Sequence, residues 1–313
     1  MTTQSTTSSD VVSLQDRKEG MGEGLSLTQL ALRRLRKDYL TLGAMFVLLL
    51  LATSSFAAPL ITETYGGDYR LTDPRNKYEP LGAEGHPLGS DHLGRDHLAR
   101  LLYAGQISIG IAFIAGFCSI ILGISVGLIA GFYQGGQFGV IDDLIMWFIT
   151  TLNSIPSLVL LILISAVARP SITVLIFSLV LISWSGTMRL VRGETISQRA
   201  REYVLSATAI GARPVRLMFV HILPNVFSVF IIALALEIGT LILVEAALSF
   251  IGLGVRPPTP SWGNMLTFAQ SSFRVAPFLS IFPGLMIVFT VLSLYLIGDG
   301  LRDAFDPQST RQR

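Results

Sequence analysis

Side chains able to do chemistry are sparse in this 313-residue sequence, and their spacing narrows what they could do. Between residues 86 and 97, His86, Asp91, His92, Asp96 and His97 gather the residue types that ligate metals or exchange protons. The histidines are spaced by six and then five residues, which places them on no common helical face, unlike an i, i+4 pair. A polar turn in which Arg95 neutralises the aspartates explains the same residues, and no metal is expected. Gly123-Ile124-Ser125-Val126-Gly127 has the letters of a hydrolase nucleophile elbow. That motif needs a strand-to-helix turn, and this one lies inside a long apolar run. With Gly131, its glycines read instead as a small-xxx-small stripe along which two helices approach closely. The sequence contains neither His-Glu-x-x-His nor a Gly-rich loop followed by Lys and Ser/Thr. An intramembrane enzyme would need a nucleophile with a base in reach, and no motif marks one.

Two acids, Glu237 and Glu245, interrupt an otherwise apolar stretch. An acid inside a membrane span is costly and marks either an aqueous path or a polar partner. Glu237 reads equally as lining a path and as a packing hydrogen bond. Glu245, just ahead of Leu248-Ser249-Phe250, reads as shaping an outer gate. Composition justifies the membrane reading. Apolar residues make up 51% of the chain and charged ones 14%, against roughly 25% charged in a soluble domain. Mean hydropathy is +0.60. Cys118 is the single cysteine, so no disulfide scaffold forms within the chain, and a net charge of +2 is too small to argue for nucleic acid.

A span needs about 20 apolar residues to cross ~30 Å of hydrocarbon. Long apolar windows predict six: Tyr39–Thr62, Ile107–Gly131, Leu144–Ala168, Pro170–Met188, Pro224–Val255 (less clean, since it holds Glu237 and Glu245) and Val275–Gly298. Pro156 should kink the third. Placing both termini in the cytoplasm puts fifteen of the 23 Lys and Arg residues inside, as the positive-inside tendency requires. The expected organisation is a disordered tail (1–24), an amphipathic lead-in at the membrane surface and first span (25–62), and an external segment (63–106). A five-span core (107–300) carrying a cytoplasmic loop at 189–224 and a final tail (301–313) complete it.

That loop is far longer than two neighbouring spans require. Residues Arg199 to Ile210 read as a short helix, and Gly211 stands where a helix stop favours positive φ. Pro214 suits the first turn of a second helix, whose apolar side would be Val215, Leu217, Met218 and Ile222. Leu223-Pro224 should break the chain before the fifth span.

Ala207, Gly211, Leu223 and Pro224 resemble the signature loop of bacterial ABC importer permeases: Glu-Ala-Ala, three residues, Gly, nine residues, Ile, one residue, Leu-Pro. Leu205-Ser206-Ala207 stand at the Glu-Ala-Ala positions and His221 at the Ile position. Upstream, the run Pro87 to Asp96 followed by Ala99-Arg100-Leu101-Leu102-Tyr103 is similar to the periplasmic segment of the dipeptide/oligopeptide/nickel permeases. Leu248 to Gly254, Pro257 to Gly263 and Gly298 to Pro307 match the same family, in its C-type subunit.

The resemblance implies an all-α membrane protein with six transmembrane helices in the type I ABC importer permease fold. It implies that Arg201, Glu202, Leu205, Ser206, Ala207, Gly211, Ala212, Leu223 and Pro224 form the ATPase-coupling loop. Asp91, Gly94, Arg95 and Asp96 belong to the periplasmic segment, and Pro258 and Trp262 to an ordered outer loop, with Trp262 an interfacial anchor. The partners implied are a paralogous permease, two ABC ATPases that hold ATP and Mg, and a periplasmic or lipid-anchored solute-binding protein. The chain itself would bind no cofactor, would not be an enzyme, and would sit in the cytoplasmic membrane of a bacterium or archaeon. Dipeptides or oligopeptides are the expected cargo. Nickel, a chelate or an oligosaccharide is the alternative within the family, and a channel working without ATPases would leave the long loop unexplained.

Overall fold

A computed structural model describes residues 27–168 and 171–305. The expected tail at 1–24, Leu25 of the lead-in, and the final tail from residue 306 lie outside the described residues.

Short polar side chains start several of the helices. Asp38 accepts from the backbone N–H groups of Leu40 (3.1 Å) and Thr41 (3.3 Å), opening α2 (Tyr39–Phe56). Asp96 does the same with Leu98 and Ala99 for α4 (His97–Tyr133). Before α2 lies α1 (Leu27–Leu35), and after it the short α3 (Ala58–Tyr65). The lead-in is more than a surface helix, because Ala31 is buried and the Arg34 guanidinium donates to the Ala304 carbonyl at 3.3 Å. It braces the end of α11 (Phe278–Phe305).

Four long helices besides α2 form the body. They are α4, α7 (Ile172–Arg199), α9 (Leu223–Phe250) and α11. These five meet the length and apolarity needed to cross a membrane, α9 through its Val229–Phe250 part. The expected third span is a bent pair instead: α5 (Gly139–Asn153) and α6 (Ser157–Val167) meet at 80°. Proline lacks the N–H that would continue the ladder, so Pro156 ends one helix and caps the next rather than merely kinking a single rod. Counted as one span, the pair makes six among the described residues. The outer faces are apolar where a soluble protein would be polar; Phe113, Phe117, Trp147 and Phe177 are all exposed.

Helix α4 packs most extensively on α7, and the glycine stripe is the reason. A methyl group on Gly123 would lie 2.8 Å from Thr187 Cβ, one on Gly127 2.6 Å from the Met188 carbonyl, and one on Gly131 2.6 Å from the Arg192 carbonyl. Without side chains at those positions the two backbones touch. That contact continues past Met188, so α7 runs to Arg199 instead of ending where the expected fourth span ends. The main core lies between α4, α7, α9 and α11, with Leu179, Leu241, Ile242 and Leu294 buried in it.

Candidate functional site

At the end of α4 marked by Tyr133, the chain builds a compact elbow. Its first element, α8 (Glu202–Ala209), starts after a break at Ala200-Arg201, three residues later than the sequence suggests. It ends in a Schellman motif: the Gly211 N–H donates to the Thr208 carbonyl and the Ala212 N–H to the Ala207 carbonyl, both at 3.0 Å. Gly211 has φ +84°, which a residue with a β-carbon adopts only with strain. Pro214–Arg216 forms the next turn, and the chain passes through a π-helical stretch, Leu217–Ile222, directly into α9. Leu223-Pro224 therefore does not break the helix. Pro224 sits in the first turn of α9, and the wider π turn before it re-pairs the backbone.

Val204 and Ala207 of α8 are buried with Leu217, Met218 and Ile222, and the same cluster takes in Leu128 of α4, Val191 of α7 and Val226 and Phe230 of α9. Val215, expected on this apolar side, is 63% exposed. Arg201, Glu202, Leu205, Ser206 and Gly211 face outward, Pro224 is exposed, and Ala212 and Leu223 are half-buried. The elbow thus shares one core with three of the spans and cannot move independently of them.

Three residues that the sequence reading missed fasten this end. Arg192 makes two parallel 2.6 Å bonds to Asp142 of α5. Arg199 Nη1 donates at 2.8 Å to the carbonyls of Phe132 and Gln134, closing the C-terminus of α4. Arg192 and Arg199 are seven residues apart on α7 and so share a face, which was the available signal. Their acceptors, a side chain at a span boundary and two backbone carbonyls, carried none.

The opposite end of α4 carries the segment of residues 66–96. Asp91, Arg95 and Asp96 are buried and close together, with Gly94 in the turn between them. Asp91 Oδ2 accepts from Arg95 Nε at 2.8 Å and lies 2.7 Å from its Nη2, while Oδ1 accepts from the Leu93 and Arg95 backbone. Burial alone would raise the Asp91 pKa, but the Arg95 hydrogen bonds and charge, with the Arg100 charge, hold it below the ordinary carboxylate value. Tyr65 donates to Asp96 at 2.5 Å, and burial together with that bond pushes its pKa up. His92 stacks on Phe268, and burial lowers its pKa. Among the described residues no three ligand-type side chains come together as a metal site.

Trp262 is an internal tie, not an interfacial anchor. It is fully buried, its indole N–H donates to the Leu101 carbonyl at 3.1 Å, and its backbone N–H donates to Ser108 Oγ at 3.2 Å. It opens α10 (Trp262–Ser271) through a Ser261–Asn264 capping box. Pro258, after a cis peptide bond, is exposed in the loop before it. Glu245 is fully buried as well, accepting from Ser108 (2.9 Å) and Ser249 (2.6 Å), with the Ser249 hydroxyl accepting from the Val255 N–H. Through Ser108 and Ser249 it ties α4 to the end of α9 and to the loop that follows. Glu237 is half-buried, beside Ser119 of α4 and Ser183 of α7. The fold brings Glu245 together with Trp262 through Ser108, and leaves Glu237 apart from both.

The elbow packs on the ends of apolar helices long enough to cross a membrane. With apolar outer faces along those helices, this is the architecture of an integral membrane protein. The chain belongs to the family of binding-protein-dependent transport system inner membrane components, whose model matches residues 123–311. Residues 26–80 match the N-terminal transmembrane domain of oligopeptide transport permease C. The chain is 36% identical to the dipeptide transport system permease protein DppC of Alkalihalophilus pseudofirmus over 89% of each chain. It is 37% identical to the protein of that name from Haemophilus influenzae, over 85% of this chain and 90% of the other. It is also 36% identical to the glutathione transport system permease protein GsiD of Pectobacterium atrosepticum, over 88% and 89%. The chain is therefore an ABC importer permease.

Proposed function

We propose that this chain and a paralogous permease enclose a path for dipeptides or oligopeptides, and that α8 is the surface that seats in a groove of one of two cytoplasmic ATPase subunits. One observation carries the reading: α8 has two unlike sides. Val204 and Ala207 join the core of the spans, while Leu205 (56%) and the residue that caps the helix, Ile210 (87%), hold apolar side chains out into open space. An exposed apolar tip on a rigid elbow suits insertion into a groove of another protein.

ATP and Mg would then be bound and hydrolysed on those partners, and this chain would move solute without catalysis of its own. The rim built from Asp91, Gly94, Arg95, Asp96 and the Pro258 loop would face a periplasmic or lipid-anchored solute-binding protein. The excess of basic residues on the α8 side supports cytoplasmic termini and a bacterial or archaeal cytoplasmic membrane. Short peptides are the cargo class that the relatives' names support, the dipeptide permeases and the glutathione permease alike.

Ile210→Cys tests the docking surface. In native membranes a short bifunctional thiol reagent should join it to an ATPase subunit bearing a cysteine in its surface groove. Labelling by a soluble maleimide with no joined product would overturn the docking role. For the cargo, proteoliposomes of the whole transporter should accumulate labelled dipeptide on ATP addition, and indifference to all di- to pentapeptides would overturn that part.

A further inference from the structure

Three cations gather at the corner where α1 gives way to α2. After α1 ends at Leu35, the Arg36 N–H still donates to the Leu32 carbonyl and the Lys37 N–H to the Arg34 carbonyl, and Asp38 then opens α2. Arg36 and Lys37 follow Arg33 by three and four residues, which on such a turn sets all three on one side. Each is exposed, and among the described residues the ion pairs fall elsewhere. We propose that this corner binds the headgroup phosphate of an anionic phospholipid.

Its level in the membrane favours a lipid. Helix α2 has 18 residues, a length of about 27 Å at the rise of an α-helix, close to the thickness of the hydrocarbon layer. The residues just before it therefore stand where hydrocarbon gives way to headgroups. Tyr39, the first residue of α2, is 85% exposed, and an aromatic ring with a polar tip suits that boundary. Leu32 and Leu40 are exposed too, so apolar surface that acyl chains can cover flanks the cations in sequence.

The corner is braced. Ala31 is buried, Arg34 donates to the Ala304 carbonyl, and a methyl group on Gly300 of α11 would lie 2.8 Å from Thr41 Cβ of α2. Backbone that is already fixed loses little freedom when a headgroup arrives.

The carboxylates nearby keep their charge and enter the balance. Asp38 accepts from the Thr41 hydroxyl and from the Thr41 and Leu40 N–H groups, which holds its pKa below the ordinary carboxylate value. The end of α11 that packs on α1 carries Asp299, Asp303 and Arg302, all exposed. Arg33, Arg34, Arg36, Lys37 and Arg302 outnumber these three acids, so the corner stays positive with every acid ionised. Basic residues beside a span draw anionic headgroups, whereas a zwitterionic headgroup brings a cation of its own. A lipid bound here would fasten α1 and the adjoining ends of α2 and α11 to the bilayer surface.

The test uses the complete purified transporter in vesicles of equal parts phosphatidylglycerol and phosphatidylcholine. Tyr39→Trp places a fluorophore at the corner, and bromine on the acyl chains of one lipid or the other quenches it on contact. The emission added by this change should be quenched several-fold more by brominated phosphatidylglycerol than by brominated phosphatidylcholine. Combining Arg33→Gln, Arg36→Gln and Lys37→Gln should abolish the excess, while Arg274→Gln, just ahead of the other end of α11, should keep it. Raising the salt should shrink the excess without any change at the three cations, a readout independent of how the triple variant folds. Equal quenching by the two labels, or an excess that the triple variant or high salt leaves intact, would overturn the proposal. So would an excess that inorganic phosphate removes at fixed ionic strength, by revealing a site for the free anion.

Discussion

Arg192 on α7 grips Asp142 on α5 with matched geometry, Nε to Oδ1 and Nη2 to Oδ2, each at 2.6 Å. The carboxylate is buried and the guanidinium about a quarter exposed. The pair ties α7, which leads into the elbow, to the bent α5–α6 arm, as does the Ser185 hydroxyl, which donates to Asn153 Oδ1 at 3.3 Å.

Replacing Arg192 by Lys keeps the charge but loses the parallel fork. We expect a loss of about 1–3 kcal/mol in local stability, the range for a buried polar group left short of a partner. Solute moved per ATP hydrolysed in proteoliposomes should fall, with ATPase activity retained. A wild-type ratio in both Arg192→Lys and Asp142→Asn would exclude the pair from force transmission.

Gly211 offers a cleaner probe of the elbow. Nothing lies within 4 Å of a β-carbon placed there, so any cost comes from its φ of +84°. Gly211→Val should cost ~1–2 kcal/mol and uncouple uptake, whereas Gly211→Asn, which tolerates the left-handed region, should stay near wild type. Equal uptake by all three proteins would remove the Schellman turn from the mechanism.

The glycine stripe predicts a contrast between positions of like sequence. Gly127→Leu would drive a side chain into the Met188 carbonyl and Val191, whereas Gly110→Ala and Gly186→Ala meet open space. Overpacking of this kind costs about 1–3 kcal/mol or more. We expect Gly127→Leu to reduce the folded yield in detergent and the two alanine variants to match wild type in a melting assay.

The pH dependence of the segment before α4 follows from Asp91. Its folded pKa lies below its ordinary value of 3.8, so the unfolded state binds the proton first on acidification. The stabilisation is complete above the ordinary carboxylate range and is lost only as pH falls through the depressed folded value. Limited proteolysis of residues 66–96 should therefore stay constant from pH 7 to pH 5 and accelerate in stronger acid. Asp91→Asn should show the accelerated cutting already at neutral pH, because Arg95 and Arg100 lose their shared counter-charge. Slow cutting of that variant at pH 7 would dismiss the ion pair as the clasp.

Much was legible in the chain itself. Apolar windows locate membrane spans because hydrocarbon forbids unpaired backbone and exposed charge over a set length. The elbow's stop at Gly211 and restart at Pro214 were readable because both obey local backbone rules. Glycines at 123, 127 and 131 announced a close contact, since four-residue spacing puts them on one helical face.

Other features depend on partners distant in sequence. Nothing local says that Trp262 turns inward to Leu101, or that Glu245 is enclosed by Ser108 and Ser249. The 80° bend, the passage through Leu223-Pro224, and the seat of Asp142 for Arg192 are likewise settled between elements. Periodicity and backbone chemistry act within a few residues and can be read one segment at a time. Whether a buried polar group faces a path or a partner is decided only when distant helices meet, because its free energy depends on what stands opposite.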